Sequence, residues 1–351
     1  MQLSDYTRAL LDDIERRIDP ETEEDYITQW ENFWEGRCED VIFRPVRKKT
    51  SLPGIEVKKV HINDAINDLQ LMLCDQLADL SGRLASTGTA LGIRANYGTG
   101  IVTSLFGAEI FEMPREMHTL PTTRSFNDTD RIRSVLEAGV PDLNGGFGGR
   151  VFAFGELCAE VFKDHPKISR YVQVYHPDTQ GPLDLAELLW GGEMFYEMFD
   201  DPDFVHDVLN LITETYIRFM DRWYSIIPKV TEGLTVHWGV MHKGTIMLRN
   251  DSAMNLSPDF YREFSVPYDS RLLKYYGGGC MHFCGRGDHY IDLLTSIPEL
   301  TGVNLSQPEL NDMEKIYAAV IRNGKKIIGF PSGAAAEYAA RPDAVRGMIH
   351  T

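Results

Sequence analysis

Long hydrophobic runs are missing from this chain. No stretch of its 351 residues approaches the roughly 18–20 apolar residues needed to span a bilayer. The start, Met1 to Asp5, lacks the charged-then-apolar layout of a secretory signal. Cysteine is scarce, with five residues (Cys38, Cys74, Cys158, Cys280 and Cys284) that are odd in number and irregular in spacing. That excludes a disulfide framework and points to a reducing compartment. The expectation is a cytoplasmic protein with no membrane partner. Basic residues are few, 35 against 52 acidic, for a formal net charge of −17. Neutralising phosphates needs a basic surface, so a nucleic-acid partner is excluded. Several catalytic signatures are absent too. Gly98-Thr99-Gly100 lacks the third glycine of a dinucleotide fingerprint. The run Gly145-Gly146-Phe147-Gly148-Gly149 has no lysine at phosphate-loop spacing and reads as a flexible lid. No Gly-x-Ser-x-Gly elbow and no His-Glu-x-x-His pair occurs.

What is present is a chain with 43% hydrophobic residues, enough for a sizeable core. Its charge is uneven. Residues 1–40 hold 13 acids and 4 bases, and residues 41–59 hold 6 bases and 1 acid. Such blocks are solvated faces or docking surfaces. Leu10, Leu11, Ile14 and Ile18 recur at helical spacing, and Asp19-Pro20 reads as a cap and first turn. Tyr26, Ile27, Trp30, Phe33 and Trp34 form a second stripe, which predicts a helical hairpin with an aromatic face. Pro45 and Pro53 keep 41–59 extended, and 61–87 is helical again.

From about residue 90 short apolar stretches alternate with amphipathic helices. Strands are predicted near 90–96, 171–176, 234–238, 245–250, 279–283, 301–305 and 326–330. Helices start at Asp201-Pro202 and Ser257-Pro258, and a third, with Asn311 as its cap, lies between two strands as a βαβ unit. Repeated βα units favour an α/β fold of the (β/α)8 TIM-barrel type, with a doubly wound open sheet as the alternative. The expected organisation is an N-terminal helical extension over 1–88 and a barrel over 89–351.

In such a barrel, functional residues sit where strands end. The richest end is Cys280-Met281-His282-Phe283-Cys284-Gly285. Side chains alternate along a strand, so 280, 282 and 284 share a face. Zinc ligand atoms must converge to within about 4 Å. His282 and Cys284 can do so if the chain bends at Gly285, whereas Cys280 sits deeper. Metal binding and ordinary packing both remain open for this pair. Other strand-end candidates are Tyr97, His176, Asp178, Gln180, His237, His242, Asp251, Gln307 and Glu309.

The stretch Asp251-Ser252-Ala253-Met254-Asn255-Leu256-Ser257-Pro258 through Tyr268, followed by Gly279-Cys280-Met281-His282-Phe283-Cys284-Gly285, resembles the uroporphyrinogen decarboxylase superfamily. That superfamily also contains cobalamin-dependent methyltransferases. The resemblance is best over roughly residues 235–333 and fainter over 90–235. It implies a (β/α)8 barrel with a pocket at its C-terminal mouth. The decarboxylase branch carries an arginine-bearing N-terminal stretch, and Arg44-Pro45-Val46-Arg47 departs from it after two residues. The methyltransferase branch carries His-x-Cys on a late strand, matched by His282 and Cys284. Its further C-terminal cysteine has no counterpart after Cys284. Glu309 is the expected third ligand, with His237 and Asp251 behind it.

The resemblance therefore implies a zinc-dependent methyltransferase. It would move a methyl group between a small ether, amine or thiol and a corrinoid (cobalamin), carried free or on a separate corrinoid protein. Asp251 and His237 are the expected catalytic groups. Tyr97, His176, Asp178 and Gln307 are expected to bind substrate. Two other readings are a metal-free decarboxylase and a non-catalytic partner of a corrinoid protein.

Overall fold

The computed structural model describes residues 3–351. Eight short strands pair in parallel: β1 (Ile42–Phe43), β2 (Gly92–Ile93), β3 (Gln173–Val174), β4 (Ile246–Arg249), β5 (Gly279–Phe283), β6 (Leu300–Leu305), β7 (Lys326–Ile327) and β8 (Ile349–His350). Six form one sheet in the order β1-β8-β7-β6-β5-β4, and β2 pairs with β3. Every pair joins neighbours in this series, and the last strand lies beside the first. Among the described residues no ladder joins β1 to β2 or β3 to β4. The fold is thus a mixed α/β one with a parallel sheet in two parts, and its ladders do not close into a complete ring.

One predicted barrel strand has a different role. Thr235–His237 pairs antiparallel with Val240–His242. The turn between them places Trp238 at φ 49° and Gly239 at φ 80°. Two successive positive φ values make the tight turn whose twist suits a hairpin, and a bulky residue there is strained.

The sheet residues alternate between two apolar clusters. Ile246, Leu248, Met281, Phe283, Val303, Leu305 and Ile327 face the large cluster built with the helices. The long helix Pro202–Ile226 contributes Val205, Val208, Leu209, Ile212, Tyr216 and Phe219 to it. Phe43, Met247, Cys280 and Ile328 face a second, smaller cluster. Burial on both faces is what parallel strands require.

The second cluster explains the N-terminal aromatic stripe. Helix α1 (Asp5–Arg17) is capped by Ser4, and α2 (Pro20–Trp34) by Asp19. Tyr26, Trp30, Phe33 and Trp34 of α2 fill the second cluster, and Trp34 Nε1 donates to the Met241 carbonyl at 3.0 Å. The basic segment that follows folds back along α2. Arg47 meets Glu23 through two bonds of 2.7 and 3.0 Å, both side chains buried. Lys48 meets Asp25 and Lys49 meets Asp19. The opposed charge blocks therefore partly neutralise one another within the chain.

Two local expectations change. The glycine run at 145–149 is packed rather than loose. A Cβ at Gly148 would lie 1.9 Å from the Leu143 carbonyl oxygen, and one at Gly146 would lie 2.3 Å from Ser104 Oγ. Those glycines allow close backbone approach. The helix Met313–Arg322 is capped by Asp312, because Asn311 is committed elsewhere. Asn311 Oδ1 accepts from the Gly287 and Asp288 amides, and its Nδ2 donates to the Gly285 carbonyl.

Candidate metal centre

Strand register sets out two ranks of side chains on the inner face. The lower rank is Met247, Cys280 and Gly302, and the upper rank is Arg249, His282 and Asn304. The lower rank is apolar and lies under α2. A Cβ at Gly302 would lie 3.1 Å from the Trp34 ring and 3.3 Å from Cys280 Sγ, so only glycine fits there. The upper rank is polar and faces the strand ends.

Just beyond that rank, Asp251, His282 and Cys284 offer donor atoms that all lie within 4.8 Å of one another. His282 Nε2 is 3.3 Å from Cys284 Sγ and 3.7 Å from Asp251 Oδ1. The Cys284 amide donates to Asp251 Oδ1 at 2.6 Å, which ties the end of β5 to the turn after β4. The chain bends at Gly285, with φ 75°, and a Cβ there would lie 2.6 Å from Met254 Sδ. The Gly285 amide donates to Gln307 Oε1 at 2.6 Å. Burial pushes the Cys284 thiol above its ordinary value and the His282 imidazole below its own. Metal coordination would supply the compensating positive charge.

The state of His282 follows from its neighbours. Asn304 Nδ2 donates to the Ile328 carbonyl at 2.6 Å, so Oδ1 is the atom turned toward His282 Nδ1, 2.6 Å away. Nδ1 must then carry the proton, which leaves Nε2 with a lone pair facing the triad. Sulfur, nitrogen and oxygen donors in one cluster suit zinc, and three of them leave a fourth position open.

Beneath lies a buried ionic network. Asp178 is held by Arg94 at 3.0 Å and by Arg249 at 2.9 Å. Burial alone would lift the Asp178 carboxyl, but the two guanidinium groups hold it below its ordinary value. Arg249 also donates to His237 Nε2 at 2.6 Å and lies 4.6 Å over the Trp238 ring. Trp238 meets His282 edge-on at 5.0 Å. His176 donates from Nδ1 to the Pro177 carbonyl and accepts the Met247 amide on Nε2, so both nitrogens are occupied.

A cavity of about 540 Å³ adjoins the triad and includes Asp251, Asp184, Gln180 and Glu187 in its lining. Asp184 accepts the Asp251 and Ser252 amides at 3.0 and 2.8 Å and so fixes the turn that carries Asp251. Full burial, with Asp251 nearby, pushes its carboxyl up to about 8. A smaller cavity of about 270 Å³ lies at the unpaired seam between β3 and β4, lined by Gln173, His176, Tyr224 and Thr245 among others.

The predicted residues fall into three groups. Asp251, His282 and Cys284 converge, and Gln307 supports their bend. Asp178, His176 and His237 belong to the buried network underneath. Tyr97 and Glu309 lie apart. Tyr97 packs on Phe147 at 5.4 Å in the large cluster, where burial pushes its hydroxyl up to about 12. Glu309 is exposed on the turn Pro308–Leu310, in a groove with Tyr317 and Arg341. It does not join His282 and Cys284, and among the described residues the carboxylate that does is Asp251. Asp184, Asn304, Arg249 and Trp238 were not singled out from the sequence. Asn304 is three residues before Gln307, at the end of a predicted strand, and that position was its one available signal.

No protein-family model and no curated relative matches this chain. Among solved structures, a methyltransferase from Methanosarcina mazei is similar, with a TM-score of 0.60 and 16% sequence identity. The similarity covers 92% of this chain and 91% of that one. At that identity the likeness speaks for a shared fold. Among the described residues no helix is long and apolar enough to cross a membrane.

Proposed function

We propose that this chain is a zinc-dependent methyltransferase acting between a small methylated compound and a corrinoid. The observation that carries the proposal is the convergence of Asp251, His282 and Cys284 at the ends of two adjacent parallel strands, beside an open cavity. Support comes from the overall likeness to a protein named a methyltransferase. The sequence resemblance to the branch carrying His-x-Cys agrees with it. We also read the eight parallel strands as a (β/α)8 ring whose ladders lapse at two seams, with the triad at its C-terminal mouth.

In this reading Asp251, His282 and Cys284 hold the ion. Zinc there supplies Lewis acidity toward the heteroatom bearing the methyl group, or toward a thiol acceptor. Asn304 keeps the proton on His282 Nδ1 and the lone pair on Nε2. Asp184 holds the turn that aims Asp251. Cys284, whose thiol burial raises, would hold an ion as the thiolate, its proton passing to solvent. Arg249 and Asp178 form a rigid charged floor below. The corrinoid comes from outside, on a separate protein or free.

The test is metal analysis joined to an absorbance assay for loss of reduced corrinoid with methyl ethers, methylamines and methyl thioethers. About one zinc per chain and donor-dependent loss are expected. His282→Ala and Cys284→Ala should lose both. Full transfer by a metal-free His282→Ala protein would refute the proposal. Absence of both metal and transfer would favour a metal-free decarboxylase or a non-catalytic partner.

A further inference from the structure

We propose that the cavity beside the triad recognises a protonated alkylamine, in preference to an ether or a thioether. This names the substrate class within the methyl-transfer reading and rests on that reading for its role, though not for the binding itself; an ammonium nitrogen has no lone pair for a metal, so the ion would here act on the thiol acceptor.

The lining of the cavity includes three carboxyl side chains, Asp184, Glu187 and Asp251, and no lysine, arginine or histidine among the described residues. A bound metal would engage Asp251, and Asp184 is committed to backbone amides. Glu187 has no hydrogen bond or ion pair to its carboxylate among the described residues. It is half-buried on the cavity wall. A charge so placed attracts a cation more strongly than it would in open water.

Independently, Gln180 presents an acceptor. It is 5% exposed, and its Nε2 donates to Asp178 Oδ1 at 2.6 Å. Asp178 is itself pinned by Arg94 and Arg249, so the amide cannot turn over. Its Oε1 has no protein partner among the described residues, and the residue lines the cavity, so the oxygen is open to a ligand N–H in place of water. Two of the donors that line the cavity are already used. Ser125 Oγ donates to the Leu188 carbonyl, and Asn127 Nδ2 donates to the Ser125 carbonyl.

An alkylammonium supplies both a positive charge and N–H donors. An ether offers only acceptors, a thioether offers no N–H, and a carboxylate would be repelled.

The test is calorimetric binding of N-methylpropylammonium, methyl propyl ether and methyl propyl sulfide, which are closely matched in shape. Full-length metal-free and zinc-loaded protein would both be used. The ammonium should bind about tenfold or more tightly than the ether. Glu187→Gln and Gln180→Leu should each reduce that preference, and circular dichroism would verify folding. Equal binding of the ether, no binding of the ammonium, or a preference untouched by both substitutions would overturn the inference. Zinc content measured on the same samples separates the two readings. Bound zinc without ammonium preference overturns this inference alone. Ammonium preference without zinc overturns the metal reading alone.

Discussion

Asn304 Oδ1 accepts from His282 Nδ1 at 2.6 Å while the Asn304 amide is itself anchored to the Ile328 carbonyl. The asparagine would therefore act on a bound metal through the histidine. Outer partners of this kind are worth about 10–100-fold in metal affinity. Asn304→Leu should weaken zinc binding by about that factor, whereas Asn304→Asp, which keeps an acceptor, should lose less. Competition with a chelating dye measures the affinity, and nitrogen NMR of His282 reports the tautomer. A weaker site with an unchanged tautomer would contradict the assigned role.

The Glu23–Arg47 pair is buried and joined by two bonds, and Arg47 also donates to the carbonyls of Arg83, Ser86 and Thr89. Glu23→Gln should destabilise the protein by about 3–5 kcal/mol, because Arg47 is left charged and unpaired. Replacing both residues with methionine should recover much of that loss. Urea unfolding of the single and double variants gives the comparison.

Trp34 and Cys280 share the second apolar cluster and both border the Gly302 position. Trp34→Ala should cost about 3–5 kcal/mol through lost contacts and the cavity left behind. It should also quicken the reaction of Cys280 with a thiol reagent in the native protein. An unaltered rate would mean that α2 does not cover that face of the sheet.

Stability of the metal-free protein should peak near neutral pH. His176, His242 and His350 are buried and lowered to about 3, 4 and 3, and burial also lowers His237, with Arg249 adding to it, and His282. Unfolded, they take up protons as pH falls through about 6.5, so the stability they contribute above that pH is lost on acidification. Asp184 and Asp269 oppose this. Burial lifts them to about 8 and about 7, and their contribution is present at low pH and lost as pH rises through those values. Five histidines against two carboxyls leave the unfolded state binding about two to three more protons between about pH 4 and 6. Stability should then fall by roughly 3–4 kcal/mol per pH unit toward acid. Urea midpoints at pH 5, 6.5 and 8 check the curve, and a rise toward pH 5 would contradict it.

The difference between sequence and structure follows from where each signal resides. All seven predicted strands contain observed strand residues, because Val, Ile and Leu runs bounded by glycine are local features. β1 and β8 escaped because the apolar runs that hold them stop after Val41-Ile42-Phe43 and Met348-Ile349. Thr235–His237 has the composition of a buried strand, and only the positive φ angles at Trp238 and Gly239 turn it into a hairpin. At the site, strand alternation puts His282 and Cys284 on one face, and a glycine bend lets them meet. The third member depends on which strand end lies alongside, and spacing along the chain does not encode that. Asp251 follows the neighbouring strand β4, whereas Glu309 follows β6 and then leaves the mouth on an exposed turn. Asp184 and Asn304 act through bonds to distant segments and carry no motif of their own.

The pairing of β1 with β8 has a consequence for how the protein is made. β1 leaves the ribosome about 300 residues ahead of its partner. Until then the ladder beside β1 is empty, and the ring contacts of Trp30 with His350 cannot form. Contacts that span most of a chain form slowly, and aromatic surface left open meanwhile attracts chaperones and other nascent chains. Nascent chains stalled before Ile349 should therefore show a protease-sensitive α2, and emergence of β8 should be the event that protects it.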